Sequence, residues 1–247
     1  MLELDIDYNF PMPNICEHEY ITELAKEVEE AYSSLSITND VIHFNLHPTE
    51  MELEAIKSLH VDPINQDEYY SEGHQSTVKQ YEFTQFHLEN IHSNAKTFFE
   101  SLSPLNIKSS DIVANFISKI AASIMSNKDS ESVVFVLRAY TASNEVYQPR
   151  WYIDPPNSSS EGFPISIPLK GDSTIFYNAS IEEKETFSHI INKTMDTYNI
   201  STQIDLYNHF DFSNSQSISK IGYGSTFLCG NNTYGAIHTH PAVQEDR

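Results

Sequence analysis

The sequence predicts an α+β protein in which a helical N-terminal portion packs on a barrel or jelly roll of short strands. Three observations carry this. Apolar residues recur at helical spacing through most of the first 129 residues. From about Ser130 the apolar runs become short, β-branched and separated by turns. Helices first and mostly antiparallel strands after is the α+β order, and many short turn-linked strands suggest a closed sheet. The portions are 1–129 and 130–247, read as one continuous structural unit.

The elements follow in chain order. Asn14 with Glu17 is a plausible cap for a helix carrying Ile21, Leu24, Ala25, Val28, Ala31, Tyr32 and Leu35. Val41 to His47 alternates apolar and polar residues and predicts a strand, with His43 and His47 on one face. Thr49 and Glu52 form a capping box ahead of Leu53, Ile56 and Leu59. Residues 61–78 are polar, with a Pro and a Gly, and predict a loop. Thr84 is expected to cap a helix with Leu88, Ile91, Ala95, Phe98, Phe99 and Leu102 on one face. Ser110 is expected to cap another, with Val113, Phe116, Ile117, Ile120 and Ile124.

In the second portion, Val133 to Thr141 is β-branched and long enough for a central strand. Arg150 to Asp154 is short and extended and stops at Pro155-Pro156. Phe163–Leu169 and Ser173–Tyr177, joined by Lys170-Gly-Asp172, predict a β-hairpin. Ser180 with Glu183 caps a helix running to about Met195. A polar segment follows. Then come one or two strands within Ile218–Cys229 and a final strand over Gly235–His240.

Composition narrows the function classes. Lys plus Arg is 14 and Asp plus Glu is 35, a formal net charge of −21. Nucleic-acid binding through phosphate contacts needs clustered Lys and Arg, so it is disfavoured, as is a polybasic membrane surface. A basic protein or a small molecule is the expected partner. Two cysteines, Cys16 and Cys229, make no disulfide framework. With no basic N-terminal region and no apolar run near ~20 residues, the expected location is cytoplasmic. The 7 glycines form no phosphate-cradling loop.

One constellation could carry chemistry. Arg150-Trp-Tyr-Ile-Asp154 ends a short extended run, Gly235-Ala-Ile-His-Thr-His-Pro241 holds two histidines, and Arg247 lies nine residues after His238. On a strand His238 and His240 share a face, roughly 7 Å apart. An Asp and a His converging from two strands are two-thirds of the two-His, one-carboxylate triad of non-haem Fe(II). An Arg beyond the His offers a bidentate fork for a carboxylate. Arg138, in an otherwise apolar strand, needs a partner, either Asp154 or a ligand anion. Cys229 could approach these histidines across a hairpin as a thiol nucleophile.

This order resembles the double-stranded β-helix Fe(II)/2-oxoglutarate dioxygenases of the prolyl-hydroxylase style. Tyr152-Ile-Asp154 stands where those enzymes carry His-x-Asp, so the motif is degenerate at its first ligand. The resemblance covers about Val133 to Arg247. It implies a double-stranded β-helix (jelly-roll) barrel and an oxidoreductase using Fe(II) and 2-oxoglutarate. It further implies Asp154 and His238 as metal ligands, with His240 as a substitute third. Arg247 would grip the far carboxylate of 2-oxoglutarate, with Arg138, Tyr152 and Trp151 lining the pocket. The alternative is a binding module, the same scaffold recognising a ligand or protein without metal.

Overall fold

A computed structural model describes residues 15–59, 69–71, 74–84, 88–102, 105–126, 132–140, 150–154, 164–171, 174–194, 199–217, 221–229 and 235–239. In chain order these form α1 (Ile15–Ser33), β1 (Val41–Asn45), α2 (Glu50–Ser58), β2 (Tyr69–Ser71), β3 (His74–Thr84), α3 (Leu88–Leu102) and α4 (Ile107–Ser126). After these come β4 (Ser132–Tyr140), β5 (Ile165–Ser166), β6 (Ile175–Tyr177), α5 (Ile181–Thr194) and α6 (Ile200–His209). The last strands are β7 (Gln216–Ser217), β8 (Tyr223–Phe227) and β9 (Ile237–Thr239).

The first core is helical. Leu24 and Val28 of α1, Ile56 of α2, Ile91 and Phe98 of α3, and Val113, Ile117 and Ile120 of α4 are buried together. Their spacing of three and four residues puts each set on one helix face. The expected capping box at Thr49 and Glu52 is present in full. Glu52 is itself buried and pairs with Lys119 of α4 at 3.2 Å, which ties the cap of α2 to the core.

Several local expectations are corrected. The segment expected as a loop over 61–78 contains β2 and the start of β3. β3 is polar at most positions, and pairing with the apolar β4 over nine register positions holds it extended. Thr84 therefore ends a strand instead of capping α3. α4 begins at Ile107, so Ser110 lies inside it, its hydroxyl donating to the Asn106 carbonyl at 3.2 Å. Among the described strands β4 lies at the end of the sheet β2-β3-β4 rather than at its centre. The polar segment after α5 contains α6, capped by Asn199. The expected cap at Asn14 lies outside the described residues.

The barrel is the main correction. The described strands form three separate three-stranded antiparallel sheets, ordered β1-β8-β5, β2-β3-β4 and β7-β6-β9, and no jelly-roll barrel. The expected hairpin splits for a physical reason. Ile165, Ile167 and Leu169 pack on the helical core, whereas Ile175 and Tyr177 pack on a second cluster with Trp151, Phe187, Leu206, Phe210 and Ile237. Each half of the would-be hairpin follows its own apolar partners, so β5 pairs with β8 and β6 with β7 and β9. What remains of the predicted class is α+β. No helix among the described residues is long and apolar enough to cross a membrane.

Two glycines permit the β1–β8 pairing. Gly222 enters β8 at φ +90°, and its carbonyl accepts from the buried Leu46 N–H at 2.8 Å. A Cβ there would lie 2.8 Å from Pro48 Cγ. Gly224 lies under the Phe44 ring, 2.7 Å from where its own Cβ would be. Gly222→Ala combines left-handed strain with a clash, so it is expected to cost about 1–3 kcal/mol. Thermal denaturation followed by circular dichroism checks this, and an unchanged melting temperature would refute it.

Candidate functional site

The site is built by a period-two alternation. Tyr152 exchanges both backbone hydrogen bonds with His238, its N–H donating at 3.0 Å and its carbonyl accepting at 2.9 Å. Trp151 and Ile153 therefore turn into the second core, beside Ile237 of β9. Tyr152 and Asp154 turn to the opposite face, the one that carries His238. On that face Phe176 of β6 stands directly across from His238 on its other side. The antiparallel row is thus Tyr152, His238, Phe176.

His238 is 2% exposed. Its Nδ1 lies 2.9 Å from the Ala236 carbonyl, which can only accept, so Nδ1 carries the hydrogen. In the neutral ring the lone pair then sits on Nε2, and Nε2 lies 3.4 Å from Asp154 Oδ2. Orientation of one ring nitrogen by a backbone carbonyl is how metal-binding imidazoles are commonly held. With both nitrogens protonated, the same contact is an ion pair. The ring is walled by Tyr152 at 4.3 Å, Phe227 at 5.0 Å and Phe176 at 5.9 Å between centroids. The Asp154 side chain is 40% exposed, so the pair has one buried end and one open to solvent.

A second charged pair lies behind it. Lys184 of α5 is 1% exposed, approaches Asp40 Oδ2 at 2.7 Å and donates to the Ile37 carbonyl at 2.7 Å. The Lys184–Asp40 approach has ion-pair distance without the direction of a good hydrogen bond. Burial pushes the Asp40 carboxyl above its usual range, while Lys184 and, more weakly, His238 oppose the rise. Burial, aided by the Asp154 charge, also pushes the Cys229 thiol up to about 11. A thiol held in that state is a poor nucleophile at neutral pH, which weighs against the Cys229–histidine pairing.

The other expected site residues are distributed as follows. Asp154, His238 and Tyr152 are brought together. Trp151 is buried in the second core, stacked on Phe212 at 4.2 Å. Arg138 lies on β4, opposite Val78 of β3. His240 and Arg247 lie outside the described residues. His43 and His47 do not share a strand face. β1 ends at Asn45, and His47 adopts φ +46° with Nε2 2.6 Å from Glu27.

Do Asp154 and His238 fit a metal? First-row divalent cations sit ~2.0–2.2 Å from imidazole nitrogen and carboxylate oxygen, which places two neighbouring donors ~3–3.5 Å apart. The 3.4 Å separation of Nε2 and Oδ2 meets that requirement. Among the described residues, however, no group of three or more His, Cys, Asp or Glu could hold a metal ion. The fit is to two donors, and the Tyr152 ring packs on the imidazole beside them.

No family model, curated protein or solved structure matches the chain. Residues that the sequence did not single out include Asp40, Lys184, Phe176, Phe227 and Gln203. Two of these left a trace. Lys184 occupies the same helical stripe as Phe187, Ser188 and Ile191, and Gln203 the stripe of Leu206 and Phe210. A polar residue inside an apolar stripe must have a buried partner.

Proposed function

We propose that the chain is an Fe(II)/2-oxoglutarate-dioxygenase-like oxidoreductase in which Tyr152 replaces the first metal ligand. The observation that carries this is His238 Nε2 lying 3.4 Å from Asp154 Oδ2, with Nδ1 oriented by the Ala236 carbonyl. The local site supports the reading; the barrel is not part of it. Asp154 and His238 would hold the iron, and His240 is assigned a third position from the sequence alone. When bound, Fe(II) with 2-oxoglutarate supplies oxygen activation coupled to oxidative decarboxylation of the co-substrate. The chain's own contribution is to orient one imidazole and to exclude water from it with Tyr152, Phe176 and Phe227. Asp154 stays open to solvent, its side chain 40% exposed. Arg247 is assigned the far carboxylate of 2-oxoglutarate on the resemblance alone. The charge of −21 favours a basic substrate or partner.

One observation favours a second reading. A neutral phenol is a poor Fe(II) ligand, and the Tyr152 ring packs on the imidazole. In that reading His238 and Asp154 form an ion pair inside a metal-free binding module. Calorimetric titration with Mn(II), with and without 2-oxoglutarate, separates the two. The expected result is micromolar binding that tightens with 2-oxoglutarate. Asp154→Ala and His238→Ala should each weaken it, by roughly 100-fold or more, since even supporting residues are worth roughly 10–100-fold. A wild-type chain that binds no Mn(II) overturns the oxidoreductase reading and leaves the binding module.

A further inference from the structure

We infer that Gln203 of α6 is the positioning residue of the Asp154–His238 pair, acting as a one-residue substitute for a neighbouring strand. The segment 150–154 is extended and has two hydrogen-bonding edges. Tyr152 uses the edge facing β9, through its two bonds to His238. Successive residues of an extended chain turn their backbone groups to opposite edges, so Trp151 presents its own to the other side. There the Trp151 N–H donates to Gln203 Oε1 at 2.9 Å, and Gln203 Nε2 donates to the Trp151 carbonyl at 3.0 Å. A primary amide places an N–H donor and a carbonyl acceptor side by side, the pattern that an adjacent strand offers.

Gln203 is 7% exposed, so water does not readily take over these two bonds. The same stretch of chain also grips the Trp151 side chain. The indole N–H donates to Tyr207 Oη at 3.2 Å, and the ring stacks on Phe212 with planes 9° apart. Backbone and ring of Trp151 are thus fixed by α6 and the turn after it. Asp154 lies three residues on, in the same short run. Its carboxylate can meet His238 Nε2 only while Tyr152 stays in register with His238. Gln203 meets the backbone of Trp151 through both of these bonds. Its effect passes through the backbone.

The inference rests on the proposed function only for its catalytic meaning; the positioning itself can be observed without metal. The test is nitrogen-detected NMR of the full chain labelled with 15N-histidine, with His238→Gln used to assign the ring. Asp154→Ala gives the His238 signal of an unpaired ring. Gln203→Leu keeps the side-chain size and removes both hydrogen bonds to the Trp151 backbone. It is expected to move the His238 Nε2 signal at least half-way to its Asp154→Ala position. Leu206→Ala, which opens a cavity on the same helix face, is expected to destabilise the chain and leave that signal in place. If Gln203→Leu does not fold, Gln203→Glu keeps the acceptor for the Trp151 N–H and loses only the donor. It then carries the same test with a smaller displacement. A wild-type His238 signal in the folded Gln203 variant overturns the inference, as does an equal shift in Leu206→Ala. In the Mn(II) titration Gln203→Leu is expected to lose about tenfold in affinity, as supporting residues of metal ligands do. A wild-type chain that binds no Mn(II), but whose His238 signal still moves in Gln203→Leu, overturns the proposed function alone.

Discussion

Lys184→Met destabilises the protein by about 3–5 kcal/mol at neutral pH, the range for removing one partner of a buried ion pair. The cause is what is left behind. Without Lys184, the buried Asp40 carboxylate loses the cation 2.7 Å from its Oδ2. The Ile37 carbonyl loses its donor as well. Acid should narrow the deficit. Burial already raises the Asp40 pKa in the folded state, and losing Lys184, which opposes that rise, lifts it further. A group whose folded pKa lies above its unfolded value gains stability as pH falls through the folded value. The variant therefore recovers part of its loss at acidic pH, where Asp40 is neutral. The double variant Lys184→Met, Asp40→Leu should lie much nearer wild type than Lys184→Met alone, because no buried charge remains. Urea unfolding at neutral and acidic pH checks both statements. A deficit that widens toward acid refutes the explanation.

Phe187→Ala is expected to cost about 3–5 kcal/mol, the usual loss for a large aromatic side chain removed from a closed core. Phe187 is fully buried and packs edge-on against Phe210 at 5.7 Å. Trp151, the chain's single tryptophan, sits in the same cluster and reports on it by fluorescence. Far-UV circular dichroism is dominated by the helices, most of which line the other core. A third, small cluster of Phe176, Phe227 and Ala236 connects the two cores, since Phe176 lies on β6 between Ile175 and Tyr177 of the second core and Phe227 lies on β8. Phe227 packs on Phe176 at 5.3 Å, while β1, the partner of β8, carries Phe44 into the helical core. The two signals are therefore expected to unfold together in urea, both shifted equally by Phe187→Ala. Separated transitions would show that the cores are independent.

The sequence made the helical core legible because its stripes are long and regular. Leu24 and Val28, and Val113, Ile117 and Ile120, could be placed by spacing alone. The Thr49–Glu52 box was legible because two residue types at a fixed offset satisfy each other's backbone. Strand partnership was not. Ile165 and Ile175 lie ten residues apart with turn-forming residues between them in the sequence, and only the two separate cores send them to different sheets. At the site, the approach of Asp154 to His238 could be anticipated, since both lie in short extended runs with matching alternation. The Lys184–Asp40 pair could not. Nothing in the residues around Asp40 says which distant cation answers it. Gln203 was hidden because its helix is polar enough to resemble a loop.

The pairing of β1 with β8 also bears on how the chain folds as it is made. His43 and Ser225 are cross-strand neighbours with a 3.0 Å hydrogen bond, yet 182 positions separate them. At about 5–20 residues per second on the ribosome, β1 emerges roughly 10–35 s before its partner exists. In that interval Phe44 and Ile42 face a helical core with no strand beside them, and the unpaired edge of β1 is open to other chains. The first half of the protein is thus committed to wait for the second. Its yield in a cell should depend on what shields that edge during synthesis.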